Sequence, residues 1–426
     1  MTESLAAPPA GAARWTCPFC LLLCDHLSVR VGASGSGLEL AGGDCARARA
    51  ALAGFADRPS AAQAQVGGRA CPVDEAVAAA ARVLKASRQP LFGGLGTDVA
   101  GARALYRLAC ATGAICDAAQ GAAMTQALSA LQDRGGFTAT LTEVRTRADL
   151  IVVLGGLPLE QAPNLFDRLG FGERTAAPRH LVVVGPSPQD PAELAALAAR
   201  PNLSVESVPL QGDLFDTVAL LAALVDQRHV RAAPARLVAL SDRLRAARYG
   251  VIVAATGGLP AHGALVIEAV NRIVGSLNLT TRAAALWLGG GNGASTVNQV
   301  FAWLSGLPLR SRAGPAGLEH EPVCFDAQRL LADDAVDALL WVSSFDAESL
   351  PPPTRLPLVV LGHPALASSC RREGAVFIPV STPGIGSAGH LFRTDGVVLL
   401  PLFPVYADTL ATVAELVGRI TQELSR

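Results

Sequence analysis

The amino-acid sequence predicts an α/β fold with parallel sheets, and three observations carry that prediction. Short continuous apolar runs end in Gly, Ser or Pro at residues 148–158, 179–188, 249–260, 337–346 and 356–365. Helical stretches, such as residues 192–200 and 264–277, lie between many of them. Half of the 426 residues are apolar, which provides for a large core. Uninterrupted Val/Ile/Leu runs separated by helices are typical of parallel strands covered on both faces.

Along the chain, the first element is a cysteine-rich segment at residues 15–45. Its four cysteines follow the spacing C-x2-C-x3-C-x20-C and are Cys17, Cys20, Cys24 and Cys45. Three thiols within eight residues converge if the backbone wraps around a metal, so we predict that these four cysteines bind one. A single C-x2-C pair favours a [4Fe-4S] cluster over a zinc ribbon, which has two. Structural zinc and a set of buried thiols stay open as alternatives.

The next elements alternate between helices and strands. Asp74 and Glu75 form an acidic first turn that predicts a helix, and residues 91–96 form a short strand rich in glycine. A helix is predicted near residues 99–112. The glycine-rich stretches 93–96 and 289–293 lack G-x-G-x-x-G spacing, so each is interpreted either as an approach to a phosphate or as a tight turn.

A second polar, glycine-rich segment follows the apolar run at residues 375–380. It spans residues 383–396 and is predicted to be a ligand-facing loop. The histidines are dispersed, and His26, His320 and His390 are interpreted as surface or capping residues. There is no Walker A motif and no G-x-S-x-G motif.

Charge and hydropathy exclude several functional classes. The net charge is −1 and no basic block occurs, so nucleic-acid binding has no electrostatic support. The mean hydropathy is +0.36, but the uncharged span at residues 249–267 contains Gly257, Gly258 and Pro260. It is therefore predicted to form a strand, a turn and a helix rather than a membrane span. Residues 1–14 lack the pattern of a signal peptide, so a cytoplasmic location is expected. Low charge with high apolarity suggests contact with partner subunits, or simply an alanine-rich composition.

Three segments resemble the B subunit of formylmethanofuran dehydrogenase, in the molybdopterin oxidoreductase superfamily. CPFCLLLCDHL (17–27) is similar to the cysteine-rich opening of that subunit. LTEVRTRADLIVVLGGLP (141–158) resembles its middle segment, and PGIGSAGHLFRTDGV (383–397) resembles its late Gly/Arg/Asp segment. The resemblance thus extends over residues 17–397, and the middle segment is its most specific part.

The resemblance implies a four-cysteine domain and two Rossmann-like domains, one inserted in the other, with a pterin cofactor between them. We expect a leader and four-cysteine domain at 1–70, a first α/β domain at 71–150 plus about 336–426, and a second at 151–335. The same resemblance assigns the lining of a vestigial pterin pocket to Gly156, Gly384, Gly389, Arg393 and Asp395.

One departure from the family bears directly on function. The position of the family's metal-ligating cysteine or selenocysteine falls on residues 123–125, beginning with Ala123. Alanine has no thiolate to donate, so tungsten or molybdenum on a pterin is not expected. Cys116 is the fallback ligand, although a buried thiol is the favoured interpretation of that residue.

Loss of the metal ligand resembles a bacterial branch of the family, the formyltransferase/hydrolase complexes. There a formyl group passes from tetrahydromethanopterin to a methanofuran-type carrier and is hydrolysed to formate. The implied partners are the amidohydrolase-like A subunit, the C subunit and the formyltransferase of the same complex, while the B subunit is a non-catalytic scaffold. Two alternatives stay open: an active tungsten or molybdenum dehydrogenase subunit, and an unrelated metal-stabilised α/β binding module.

Overall fold

The computed structural model describes residues 11–32, 37–55, 63–172, 178–406 and 408–426. The helices of these ranges are α1 Ala46–Ala53, α2 Val73–Ala86, α3 Val99–Thr112, α4 Gly121–Arg134, α5 Leu141–Arg147, α6 Leu165–Arg168, α7 Pro191–Ala198, α8 Leu214–Val225, α9 Ala235–Ala246, α10 Gly263–Leu277, α11 Ala294–Ser305, α12 Ala327–Ala332 and α13 Val413–Leu424. The strands are β1 Ala13–Trp15, β2 Leu27–Val31, β3 Leu38–Gly42, β4 Ala64–Val66, β5 Arg69–Cys71, β6 Pro90–Gly96, β7 Ile115–Cys116, β8 Leu150–Leu154, β9 Arg179–Val184, β10 Leu203–Val208, β11 Gly250–Ala255, β12 Ala283–Leu288, β13 Ser311–Gly314, β14 Gly317–His320, β15 Ala338–Ser343, β16 Leu358–Gly362, β17 Ala375–Pro379, β18 Gly389–Phe392 and β19 Leu399–Leu402.

The chain forms two compact units, which we call unit 1 and unit 2. Unit 1 consists of Met1–Gly121 and Gly290–Arg426, and unit 2 of Ala122–Gly289. The predicted domain boundaries lay at residues 150 and 335 instead. The difference arises because α4 and α5 precede the first strand of unit 2, whereas β13 pairs with β7 of unit 1.

Unit 2 contains a five-stranded sheet in the order β10-β9-β8-β11-β12, in which every strand is parallel to its neighbours. Its strands are buried apolar runs, and α8, α9 and α10 contribute side chains to the same core. After β8, the chain adds β9 and β10 on one side of it, and then returns to add β11 and β12 on the other side. The topological switch point therefore lies between β8 and β11.

Unit 1 contains a nine-stranded sheet in the order β14-β13-β7-β6-β15-β16-β17-β4-β5. The strands from β7 to β17 are parallel, and antiparallel pairs extend both edges. The two parallel cores confirm the predicted α/β class. Gly94 in β6 has φ +72, and a Cβ there would lie 2.7 Å from the carbonyl oxygen of Val342. Glycine is therefore required at position 94, because the neighbouring strand packs too closely for a side chain.

Two small antiparallel sheets complete unit 1: β1-β2-β3 and β18-β19. The predicted loop at 383–396 is wrong in part, since residues 389–392 form strand β18. The segment 249–267 does form a strand, a 3₁₀ turn and the start of a helix, as predicted. Among the described residues, no helix has the length and apolarity to cross a membrane.

Candidate functional site

The cysteine segment forms a tight loop between β1 and β2. The backbone N–H of Cys17 donates to the carbonyl oxygen of Cys24 at 2.9 Å, which closes the loop. Leu23 adopts φ +44, a left-handed conformation that turns the chain between the second and third cysteines. Cys17, Cys20, Cys24 and Cys45 are all buried, and none of the chain's nine cysteines, all within the described ranges, is disulfide-bonded.

The thiols share one electrostatic environment. Burial raises the pKa of the Cys17 thiol well above its usual value, and the neighbouring thiols of Cys20, Cys24 and Cys45 raise it further. Burial also raises the pKa of Cys20, against the opposing effect of the Arg47 guanidinium. The positive charge of Arg47 favours the thiolate form of Cys20, and several neighbouring thiolates could bind one metal.

The arrangement of these thiols does not by itself complete a metal centre. Within the described residues, no three or more His, Cys, Asp or Glu side chains form a group that could hold a metal ion. Backbone N–H groups do bond the sulfurs, from Phe19 to Cys17 and from Leu22 to Cys20. Four thiols are suitable ligands for iron or zinc, but their arrangement here does not form a metal-binding group. The metal site therefore stays a prediction.

The cysteine loop packs against the predicted late segment of unit 1. The indole Nε1 of Trp15 donates to the carbonyl oxygen of Gly384 at 2.7 Å. Leu23 shares an apolar cluster with Leu391 and Leu402 of the β18–β19 hairpin. The fold thus brings the first and third motifs together.

The late segment is filled by its own side chains. The side chains of Arg393 and Asp395 are buried, and a guanidinium nitrogen of Arg393 lies 2.5 Å from a carboxylate oxygen of Asp395. A Cβ on Gly389 would lie 2.9 Å from a carboxylate oxygen of Asp98, so this position has no room for a side chain. The predicted ligand-facing arginine is therefore already bound to a carboxylate of the chain.

The two glycine-rich stretches fit against each other in unit 1. A Cβ on Gly96 would lie 2.9 Å from the Asn292 side chain, and one on Gly293 only 2.4 Å from the carbonyl oxygen of Thr97. Buried hydroxyls lie at this carboxyl edge: Oγ1 of Thr97 and Oγ of Ser344 have no hydrogen-bond partner among the described residues. Close backbone packing thus explains Gly96 and Gly293.

A buried ion pair at the end of β7 was not predicted from the sequence. Asp117 lies 3.4 Å from Nε of Arg310, and both side chains are almost fully buried. Burial raises the pKa of Asp117 to about 6, against the opposing charge of Arg310. No sequence signal links the two residues, because they approach only through the pairing of β7 with β13.

The predicted metal-ligand position and its fallback have different environments. Ala123 lies half-buried in the first turn of α4. Cys116 ends β7 and is buried, as its favoured interpretation required, and burial strongly raises the pKa of its thiol. The structure therefore agrees with the interpretation of Cys116 as a buried thiol.

Gly156 lies in unit 2, two residues after the end of β8. It has φ +95, and a Cβ there would lie 3.2 Å from a carboxylate oxygen of Asp190. Asp190 is buried at the start of α7 and was not predicted from the sequence.

Comparisons with known proteins identify the relatives of this chain. No family model matches it. It is 31% identical over 335 residues to the B subunit of the formyltransferase/hydrolase complex Fhc of Methylorubrum extorquens, with 78% of this chain and 88% of the relative covered. It is 26% identical over 340 residues to the B subunit of the tungsten-containing formylmethanofuran dehydrogenase 2 of Methanocaldococcus jannaschii, covering 76% of this chain and 77% of the relative.

A structural comparison gives the same answer. The chain matches one chain of the crystal structure of the formyltransferase/hydrolase complex FhcABCD from Methylorubrum extorquens in complex with methylofuran. The TM-score is 0.72 at 30% identity, and the match covers 85% of this chain and 98% of the other. This protein therefore belongs to the family of formylmethanofuran dehydrogenase B subunits, on its formyltransferase/hydrolase branch.

Proposed function

We propose that this chain is the B subunit of a formyltransferase/hydrolase complex and serves as a redox-inactive scaffold. The observation that carries the proposal is the match over nearly the whole length of an Fhc B subunit, combined with Ala123 at the expected metal-ligand position. The formyl transfer and hydrolysis then belong to the partner subunits, and no electrons have to leave the B subunit. A cytoplasmic location is part of this proposal.

The surface of unit 1 supports contact with partner subunits. The β18–β19 hairpin packs Leu391 and Leu402 inward, but apolar side chains also face outward: Val397 is 66% and Phe403 65% exposed. Trp303 on α11 is 59% exposed and stacks edge-on against Phe392, with ring centroids 5.2 Å apart. Val397 lies between the two strands and Phe403 directly after β19. Exposed apolar side chains on and beside one hairpin are typical of protein contact sites, which favours contact with another subunit.

The residues assigned to a pterin do not fit that cofactor. Arg393 is bound by Asp395, and Gly156 lies against Asp190. At the separate position of the metal ligand, Ala123 has no thiolate. An iron–sulfur cluster is a separate matter, since Cys17, Cys20, Cys24 and Cys45 would hold it, and it would contribute stability rather than catalysis.

The test is the metal content and visible spectrum of the anaerobically purified complex, measured together with its rate of formyl hydrolysis. We expect neither tungsten nor molybdenum, and hydrolysis that persists. Iron at about four atoms per chain would add a retained cluster to the scaffold. Tungsten or molybdenum at one atom per chain would overturn the proposal.

The dehydrogenase alternative is favoured by one finding, the tungsten-containing relatives. It requires Cys116 as ligand, or no protein thiolate at all. Cys116 ends β7 and lies seven residues before Ala123, the position of the family's ligand, which argues against the first. Membership of the family removes the other alternative, an unrelated binding module.

A further inference from the structure

The carboxyl edge of the five-stranded sheet carries backbone N–H groups where α/β proteins bind anions. Two loops meet there, one after β8 at residues 155–157 and one after β9 at residues 185–190. Gly155 and Gly156 both have positive φ, at +78 and +95, so the chain turns sharply after β8. The N–H of Gly155 bonds the carbonyl oxygen of Val184, and the N–H of Leu157 faces this edge. In open α/β sheets, phosphate-bearing ligands bind at this edge beside the topological switch point.

The chain's own carboxylate occupies this position. Oδ2 of Asp190 accepts hydrogen bonds from the backbone N–H of Leu157 at 3.1 Å and of Ser187 at 2.8 Å. Oδ1 accepts from the hydroxyl of Ser187, also at 2.8 Å. Asp190 is only 6% exposed, so these bonds form away from bulk water, where charge-assisted hydrogen bonds are strong.

Gly156 supplies the room for this carboxylate. A Cβ there would approach Oδ2 of Asp190 to 3.2 Å and the backbone nitrogen of Ser187 to 3.4 Å. The glycine expected to admit a cofactor therefore admits Asp190.

We propose that Asp190 is an intramolecular occupant that closes this edge of unit 2 to phosphate-bearing ligands. Its two oxygens take the N–H and O–H donors that a phosphate would need, and its charge repels a second anion at the same place. The inference goes beyond the scaffold function, because it names the residue that excludes a nucleotide-type ligand.

A purely local role for Asp190 makes a different prediction. The bond from Ser187 spans only three residues and would exist in any such turn. The bond from Leu157 joins two strand-end loops, and a simple tie of that kind would stabilise the loops without governing what binds there. Removing the carboxylate distinguishes the two roles.

The experiment is isothermal titration calorimetry of the full chain with inorganic pyrophosphate. We expect no measurable binding to the wild type and binding at one site to Asp190→Ser, tighter by at least about tenfold. Asp190→Asn keeps the shape and loses the charge, so we expect a smaller gain, and this variant carries the test if the serine variant does not fold.

The matched control is Asp213→Asn. Asp213 also follows a strand of this sheet, β10, and caps α8 by accepting from the N–H of Asp216 at 2.8 Å. The N–H of Leu157 in the β8 loop bonds Asp190 and not Asp213, so Asp213→Asn should bind no pyrophosphate, like the wild type.

Two results would overturn the inference: wild-type binding as tight as that of Asp190→Ser, or no binding by either Asp190 variant. Neither result bears on the scaffold function, which fails only if the complex contains tungsten or molybdenum.

Discussion

The carboxyl edges of the two parallel sheets are closed in different ways. In unit 2 the buried carboxylate of Asp190 accepts three hydrogen bonds from nearby N–H and O–H groups. In unit 1 the loop of Gly293 packs directly on the backbone of Thr97, and buried polar atoms are left without partners among the described residues, including Oδ1 of Asp117.

The difference shows that burial alone does not determine the free-energy cost of placing a polar group inside the protein. Asp190 exchanges its hydration for donors fixed by the backbone. Asp117 has a full positive charge nearby, yet burial still raises its pKa to about 6. We therefore expect the stability of unit 1 to respond more strongly than that of unit 2 to glycine substitutions at this edge and to pH.

The largest expected effect tests the close packing in unit 1. Gly293→Ala places a Cβ 2.4 Å from a carbonyl oxygen at φ +75, and we expect it to lower the free energy of unfolding by about 3 kcal/mol. The measurement is urea unfolding followed by circular dichroism. Gly291→Ala is the control, since its Cβ meets no atom within 4 Å and its cost should be below about 1 kcal/mol. Equal costs would show that the loop is not packed as described.

A smaller effect concerns the pH dependence of unit 1. Because the folded state raises the pKa of Asp117 from 3.8 to about 6, this group stabilises the fold below pH 4 and loses that contribution as the pH rises through 6. We expect wild-type stability relative to Asp117→Asn to fall by about 2 kcal/mol between pH 4 and pH 7.

Asp337 provides a comparison of opposite sign. Burial favours its neutral form, but hydrogen bonds from Ser87, Arg88 and Gln89 outweigh burial and lower its pKa. The stability that Asp337 contributes is therefore present above pH 4 and lost as the pH falls further. Urea titrations of both asparagine variants measure the slopes, and slopes of the same sign would contradict the assignment.

The smallest expected effect concerns neighbouring hydroxyls at the end of β15. Ser344→Ala removes a buried Oγ that has no partner among the described residues, so stability should be unchanged or rise by up to about 1 kcal/mol. Ser343→Ala removes a hydroxyl that donates to the carbonyl oxygen of Asp346 at 3.0 Å and should cost about 1 kcal/mol. Thermal unfolding of both variants checks the order, and a reversed order would mean that Ser344 is bonded in solution.

The alternating strands and helices were predictable because the apolar pattern of each lies within one short stretch of sequence. The predicted helix at residues 99–112 agrees with α3, and the run at 249–260 contains β11. Strand β18 was missed, since its apolar residues lie among glycines and polar residues that resemble a loop. The contacts of Arg310 and Asp190 depend on strand pairing across distant segments, which local patterns do not report.

The insertion of unit 2 into unit 1 has a consequence for the order of events during synthesis. Strand β6 ends at Gly96, but its parallel neighbour β15 begins only at Ala338. At about 5–20 residues per second, a ribosome needs on the order of tens of seconds to supply that partner. Unit 2 is contiguous and can complete its sheet during that interval, whereas β6 waits with an unpaired edge. The interrupted unit is thus the one whose sheet can close only late in synthesis.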